Sequence, residues 1–457
     1  MKPRFIDLFA GIGGFHAVGS TFDWECVLAS DFDKRAATIY EQNWGNSAYS
    51  DITQLATEKK VNVPDHDVLF GGFPCQPFSK SGNQRGMDET RGTLFWNISR
   101  IIQVKKPSLV LLENVRNLAG PRHIHEWKVI IETLRKLGYR VSDEPTIASP
   151  HKLHPEWGGR PQVRERVFIA ATKVIGSKSL KNLSADPLDL AHTPPWSIDD
   201  WNLEKHLPLN SYDEKDSQGL KISKQELDWI QIWDDFVQRM LKERNGLALP
   251  GFPLWAEIWV KQGRVRATSN MPDWKKDFIK KNRDFYFQHK KAIDSWLKDN
   301  PKFLEFPPSR MKLEWQAQNA KSLWETVLHF RPSGIRAKRA TYVPALVAIT
   351  QTSVFAKEGR KLSVEEAKRL QGLPEWFSFA DQSAKDSYKQ LGNGLSVGVA
   401  YQILKAQVMR DGDLLAKTCP EIISSVERSS NSPDLVLETM FNNSQKIKRS
   451  KDEAVFL

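Results

Sequence analysis

The chain has 457 residues, 66 Lys and Arg against 55 Asp and Glu, a formal net charge of +11, and 40% hydrophobic residues. That length exceeds one ordinary core, so about two or three domains are expected, and the basic balance favours a polyanionic partner, nucleic acid first. Three widely spaced cysteines, Cys26, Cys75 and Cys419, suggest neither a disulfide scaffold nor a zinc cluster, and no run is long and apolar enough to span a bilayer.

The first part alternates short apolar runs with helical patterns. "RFIDLF" (4–9) reads as a strand, followed by glycines and a helix opening near Phe15. "ECVLAS" (25–30), "DHDVLFGG" (65–72), "SLVLLENV" (108–115) and "ERVFIAAT" (165–172) are further strands. Helical periodicity lies between them at "DKRAATIYEQNW", "TLFWNISRIIQV" (93–104) and "HEWKVIIETLRKLG" (125–138). Such alternation predicts an α/β fold with a largely parallel sheet covered on both faces. His151 and His154 have no cysteine neighbours and read as loop histidines. The start, "MKPRFIDLFAGIGG", is interrupted by glycines and an aspartate and does not read as a signal peptide.

The rhythm breaks near residue 173. The stretch 174–330 is rich in tryptophan and charge and shows amphipathic helix, as in "KQELDWIQIWDDFVQRMLKERNG" (224–246). Its tryptophans read mainly as core, and basic residues such as Lys275, Lys276, Lys280, Lys281, Lys290 and Lys291 as a solvated face. Order returns near 346, with helices expected over 363–374 and 394–409. The expected organisation is a first domain over 1–173 completed by 385–410, a second over 174–384, and a polar tail over 411–457, poorly ordered from about 427.

Two places point to chemistry. "DLFAGIGGF" (7–15) runs from a strand through Gly11, Gly13 and Gly14 into a helix, a turn whose backbone can approach a ligand closely. Ala17 stands where a dinucleotide fingerprint would need its third glycine. Asp31, Phe32, Asp51 and Ile52 offer acids for ribose hydroxyls and apolar faces for an adenine, so an adenosine-bearing cofactor is expected. Second, "GGFPCQPFS" (71–79) places Cys75 at a strand end, "ENV" places Glu113 at the next, and "PQVRER" (161–166) puts Arg164 and Arg166 at alternate positions. Strand ends of a parallel sheet line one crevice, which would gather a thiol, a carboxyl and two guanidinium groups.

These stretches resemble the DNA cytosine-5 methyltransferase family. "FIDLFAGIGGF", "GGFPCQPFS", "RGTLF", "LLENV", "PQVRERVFI" and "YKQLGNGLSVGVAYQI" (388–403) follow in family order. The resemblance covers roughly 1–173 and 331–409, and 174–330 takes the place of the variable target-recognition region. It implies a Rossmann-like S-adenosylmethionine-dependent methyltransferase sheet with a second, smaller target-recognition domain. Phe9, Gly11, Gly13, Asp31, Phe32, Asp51, Ile52, Pro74, Leu94 and Asn393 would hold S-adenosyl-L-methionine. Cys75 would add to C6 of a flipped-out cytosine, Glu113 would contact N3 and the amino group, and Arg166 with Arg164 would hold O2 and the adduct. The loop 80–92 would act as a lid, and no metal is needed.

The resemblance further implies double-stranded DNA as partner, a cognate restriction endonuclease in the same restriction–modification system, no membrane, a monomer, and a cytoplasmic, nucleoid-associated location. Two rival readings share the motifs: an RNA methyltransferase acting on tRNA cytosine, against which the long insert argues, and an inactive DNA-binding protein, against which the intact Cys75, Glu113 and Arg166 argue. A third, an exocyclic-amino methyltransferase, rests on "TPPW" (193–196), which lacks a preceding strand. The stretch 148–162 is longer than the family's usual approach to the arginine motif.

Overall fold

Short apolar runs make the strands of the first unit: β1 (Arg4–Leu8), β2 (Glu25–Ser30), β3 (Val68–Gly72), β4 (Leu109–Val115), β5 (Tyr139–Ser142), β6 (Thr146–Ala148), β7 (Arg166–Lys173) and β8 (Ser184–Ala185). The computed structural model describes residues 1–74, 93–176, 183–207, 219–346 and 352–440. Two units result, Met1–Trp201 with Ala367–Leu457, and Asn202–Glu366. The eight strands lie in the order β2-β1-β3-β4-β7-β5-β8, with β6 also paired to β7. β1 to β4 are parallel, whereas β7 runs antiparallel to β4, β5 and β6. The parallel run therefore stops at β4, because no α-helix, only two short 3-10 turns, separates β6 from β7 to carry the chain back across the sheet.

Helices α1 (Gly14–Thr21), α2 (Lys34–Trp44), α3 (Leu94–Lys105) and α4 (Ile124–Lys136) connect the parallel strands. Ile98, Ile101 and Ile102 of α3 and Ile130 and Leu134 of α4 pack with Ile6, Leu8, Leu69 and Val110 of the strands in one cluster. Alternate residues of β1 and β3 face the other way, where Phe70 stacks on Phe15 of α1 at 4.9 Å.

The second unit is built on aromatic packing. Helix α5 (Lys224–Glu243) opens with a capping box, Ser223 and Glu226 satisfying each other's backbone N–H. Its Trp229, Trp233 and Phe236 join Trp259, Trp296 and Phe303 in a buried cluster, with α6 (Asp273–Gln288) and α7 (Lys290–Asp299) alongside. A six-stranded sheet completes it: β9 (Leu254–Trp255), β10 (Lys312–Gln316), β11 (Thr326–Arg331), β12 (Gly334–Arg339), β13 (Val354–Phe355) and β14 (Arg360–Lys361), ordered β9-β10-β12-β11-β13-β14. Leu313, Trp315, Leu328, Ile335 and Ala337 point into the aromatic core, so the expected tryptophan core is present. The basic face also carries internal pairs, Lys276–Asp273 at 3.0 Å and Lys281–Asp277 at 2.7 Å.

The chain returns to the first unit through α8 (Ala384–Asn393), α9 (Val397–Arg410), α10 (Gly412–Thr418) and α11 (Pro420–Glu427). Every residue of α9 from Val397 to Val408 is buried, which fits its expected reading as a buried helix. The unit boundary falls after Trp201 rather than after residue 173. Val141 pairs with Ser184, and the buried Trp201 indole donates to the His151 carbonyl at 2.7 Å, so 183–201 belong with the sheet. The return comes at Ala367 rather than 385, since Asn43 of α2 already holds the Ser378 carbonyl at 2.8 Å. The tail also departs from expectation: 411–440 is folded, with Leu415, Ile422 and Leu437 buried. Its apolar residues are sparse but helically spaced, and most of the polar residues between them face outward, with Asp411 and Ser425 buried. No helix among the described residues is long and apolar enough to cross a membrane.

Candidate active site

The turn after β1 holds three residues at positive φ: Phe9 (57°), Gly11 (55°) and Gly13 (93°). Gly13 is required on two counts. Its φ favours glycine, and a Cβ there would lie 2.0 Å from Nε1 of Trp44, which donates to the Ile12 carbonyl at 3.0 Å. The Asp31 carboxylate accepts from the Gly11 N–H at 2.7 Å and from the Asp33 N–H at 2.7 Å. It thus ties the turn to the end of β2, while burial pushes its pKa up.

Beside this turn Phe32 is 79% exposed and Tyr49 59%, with Tyr49 bridged in parallel to Asp31. Two large uncovered rings next to a glycine turn and a carboxylate suit a flat, adenine-like group with an attached ribose. Asp51 caps the one-turn helix Ile52–Leu55 through the Thr53 N–H at 2.8 Å, and Ile52 is buried. Pro74 and Asn393 are exposed, and Leu94 opens α3. Sequence reasoning missed Tyr49; its signal was an aromatic residue two positions ahead of Asp51. Wholly buried Asp7, two residues before Phe9, has its pKa raised by burial and then by Asp31.

The second cluster sits where β3, β4 and β7 end together. Glu113 Oε1 is 2.8 Å from Arg166 Nε, with the side chains 12% and 17% exposed. Burial raises the Glu113 pKa, and Arg166 and Arg164 pull it back. Both guanidinium groups are therefore felt by one carboxyl. Asn114 donates to the Phe73 carbonyl at 2.8 Å and accepts from the Val115 N–H at 2.8 Å, fixing the backbone that leads to Pro74.

Arg164 and Arg166 do not continue one strand. Residues 164 and 165 interrupt the extended chain before β7 begins at Arg166. Arg164, 1% exposed, donates to the Gly392 carbonyl at 2.9 Å and to that of Gly394, on either side of Asn393. Burial and Arg166 lower its pKa to about 9, so it stays cationic at neutral pH. Arg164 thus braces the α8–α9 junction while Arg166 holds Glu113.

Cys75 and the loop 80–92 lie outside the described residues. The thiols of Cys26 and Cys419 are both pushed up to about 12, chiefly by burial, and neither is suited to act as a thiolate nucleophile. No group of three or more metal-ligating side chains occurs among the described residues.

A family model for C-5 cytosine-specific DNA methylases matches residues 3–408. The chain is 44% identical over 491 residues to the type II methyltransferase M.AluI of Cellulosimicrobium cellulans, covering 91% of this chain and 94% of that protein. It is 43% identical over 166 residues to M.HhaI of Haemophilus parahaemolyticus, covering 36% of this chain and 48% of that one. With M1.ScrFI of Lactococcus lactis subsp. cremoris it shares 43% identity over 187 residues, covering 40% of this chain and 44% of that one. Against these last two the match spans only about half of the relative's length.

Proposed function

The chain belongs to the C-5 cytosine-specific DNA methylase family, and on that premise we propose how its residues divide the reaction. It is a DNA (cytosine-5-)-methyltransferase that uses S-adenosyl-L-methionine. The residues fit that cofactor: the exposed rings of Phe32 and Tyr49 would hold the adenine, Asp31 and Asp51 would take the ribose hydroxyls, and the Gly11–Gly13 turn would admit the rest. When bound, the cofactor supplies an electrophilic methyl group on a sulfonium.

The chain's own groups make cytosine C5 able to take that methyl. Cytosine C5 is a weak nucleophile inside an intact ring. The Cys75 thiolate adds to C6, and the C5–C6 double bond opens toward an enamine whose C5 carries the electron density. Glu113, kept protonatable by burial, delivers a proton to N3 and accepts from the exocyclic amino group. Arg166 holds Glu113 in place and faces O2, and Arg164 fixes the Asn393 loop. After methyl transfer a base removes the C5 proton, the C6–S bond breaks, the thiolate leaves, and N3 returns its proton to Glu113. A cytosine within a duplex must first leave the stack, at a cost of a few kcal/mol.

The second unit reads the DNA. On the outer face of its sheet Glu314, Arg336 and His329 lie side by side across β10, β12 and β11. Arg336 is 3.0 Å from Glu314, and Arg331 also pairs with it. Burial and then Arg331, Arg336 and Lys338 push the His329 pKa down to about 3. Two arginines sharing one carboxylate, with Lys338 two positions beyond Arg336 on the same strand, form an electropositive group suited to phosphates. The enzyme works as a cytoplasmic, nucleoid-associated monomer on double-stranded DNA, protecting it from a cognate restriction endonuclease.

The observation that carries this reading is the Glu113–Arg166 pair at the ends of β4 and β7. Methyl transfer from labelled S-adenosylmethionine to duplex DNA, with mapping of the product, tests it. 5-Methylcytosine at one short sequence is expected; N4-methylcytosine, or product on tRNA alone, contradicts it.

A further inference from the structure

The family match ends at residue 408, yet the folded chain continues to 440 and returns to the arginine loop. Arg160, four residues before Arg164, donates through Nη2 to both carboxylate oxygens of Asp434 at 2.7 and 2.8 Å. Through Nε it donates to the Arg369 carbonyl at 2.8 Å. The pair is only partly exposed, 17% and 32%, so solvent screens it less than a surface pair. Gln402 of α9 donates to both the Trp157 and the Asn431 carbonyls at 3.0 Å, binding the loop and the tail through one amide. Around Gly158 the packing is tight: a Cβ there would lie 2.7 Å from the Gly398 Cα and 3.0 Å from Pro433. Tyr401 and Lys405 hold the Ser430 carbonyl, and Trp376 donates to the Leu437 carbonyl at 3.3 Å.

The contacts of Arg160, Gln402 and Gly158 converge on 157–160, the segment that leads into Arg164 and Arg166, and those of Tyr401, Lys405 and Trp376 anchor the tail itself. An irregular segment has many conformations to lose before Arg164 and Arg166 can be placed, and contacts that hold it offset that cost. We propose that residues 429–437 are a strap that fixes this loop, with Asp434 acting through Arg160 as a positioning residue for Arg164 and Arg166. The inference rests on the catalytic roles assigned above to those two arginines. Among the described residues the strap's polar contacts go to Arg160, Gln402, Tyr401, Lys405 and Trp376, away from the cofactor turn, so its effect falls on the base-side chemistry.

The test compares Asp434→Ala, Arg160→Met and the double variant in the full chain with unmodified enzyme. The measured quantities are kcat, KM for S-adenosylmethionine, duplex affinity, and the rate of covalent adduct formation on duplex DNA carrying 5-fluorocytosine. Asp434→Ala should lower kcat and adduct rate together by about five- to tenfold, since small misplacements remote from the chemistry cost rate. KM for the cofactor and duplex affinity should stay within about twofold, and the double variant should lose no more than either single one. Asp434→Asn, which keeps an acceptor oxygen, should fall between; it also serves if the alanine variant does not fold. An Asp434→Ala or Asp434→Asn enzyme with unmodified kcat and adduct rate overturns the strap. So does a rate loss matched by equal losses in both affinities, which would mark general unfolding. If the unmodified enzyme itself forms no adduct, the catalytic reading has failed rather than the strap.

Discussion

Glu113 Oε1 lies 2.8 Å from Arg166 Nε across the antiparallel junction of β4 and β7. The two positions sit at the ends of paired strands, Val115 opposite Arg166 and Glu113 opposite Phe168, so the sheet register sets the pair. The carboxyl is pushed up by burial and held back by two cations. That balance suits a group that must give a proton in one step and carry charge in the next.

Glu113→Gln keeps the shape and removes the proton transfer. It should lower kcat by about 10²- to 10⁴-fold, the range for a lost acid–base group, with cofactor affinity unchanged. Arg166→Lys should shift the pH dependence of kcat toward higher pH, because the ammonium loses the guanidinium's contact with the carboxyl and releases it to rise further. Steady-state kinetics from pH 6 to 9 check both; a Gln variant with intact turnover removes Glu113 from the mechanism.

Phe32 leaves its ring uncovered beside the glycine turn. Phe32→Ala should raise the S-adenosylmethionine dissociation constant by about three- to tenfold, from a stacking contribution of about 0.5–1.5 kcal/mol, and leave the melting temperature unaltered. Calorimetric titration of cofactor measures it, and Tyr49→Ala should act in the same direction.

Arg336 and Lys338 share the outer face of the second unit's sheet with Arg331 and a single carboxylate. Arg336→Ala and Lys338→Ala should each weaken duplex binding and reduce the slope of log affinity against log salt by about one. Cofactor binding should not change. Anisotropy titrations from about 50 to about 300 mM salt give the slope directly.

Buried titratable groups set the pH limits of stability. His16 and His329 are pushed down to about 3 by burial. Their folded values lie below the unfolded one, so the stability they contribute is present above about pH 6.5 and is lost as pH falls toward 3. Asp7 runs the other way: its folded pKa is raised well above the ordinary carboxylate range, so its contribution is lost as pH rises through that folded value. Melting temperatures should fall on the acid side, less so for His329→Gln. Asp7→Asn should flatten the alkaline side.

The site was legible because its residues are local signals. The glycine turn, the strand-end carboxyl of Glu113 and Arg166 are each read within a few positions. Arg164 was not legible: a strand repeat puts it on the face of Arg166, but the chain breaks at 164–165, and its side chain goes to the Gly392 carbonyl, 228 residues away. The second unit's sheet was hidden for another reason. "KLEWQ" and "GIRAKR" alternate correctly, but their outer faces are charged and the strands are short, so tryptophan-rich helices dominate the pattern. The tail was misread because scattered apolar residues such as Leu437 find their core only in residues distant along the chain.

The central claim is that sulfur attack makes a pyrimidine carbon nucleophilic, and trapping of the Cys75 adduct tests it most directly. Duplex DNA carrying 5-fluorocytosine at the target should form a covalent, cofactor-dependent complex whose peptide mass maps to Cys75, and Cys75→Ala should bind the duplex without forming it. A Cys75→Ala enzyme that still methylates cytosine, or an adduct mapped to Cys26 or Cys419, would contradict the account.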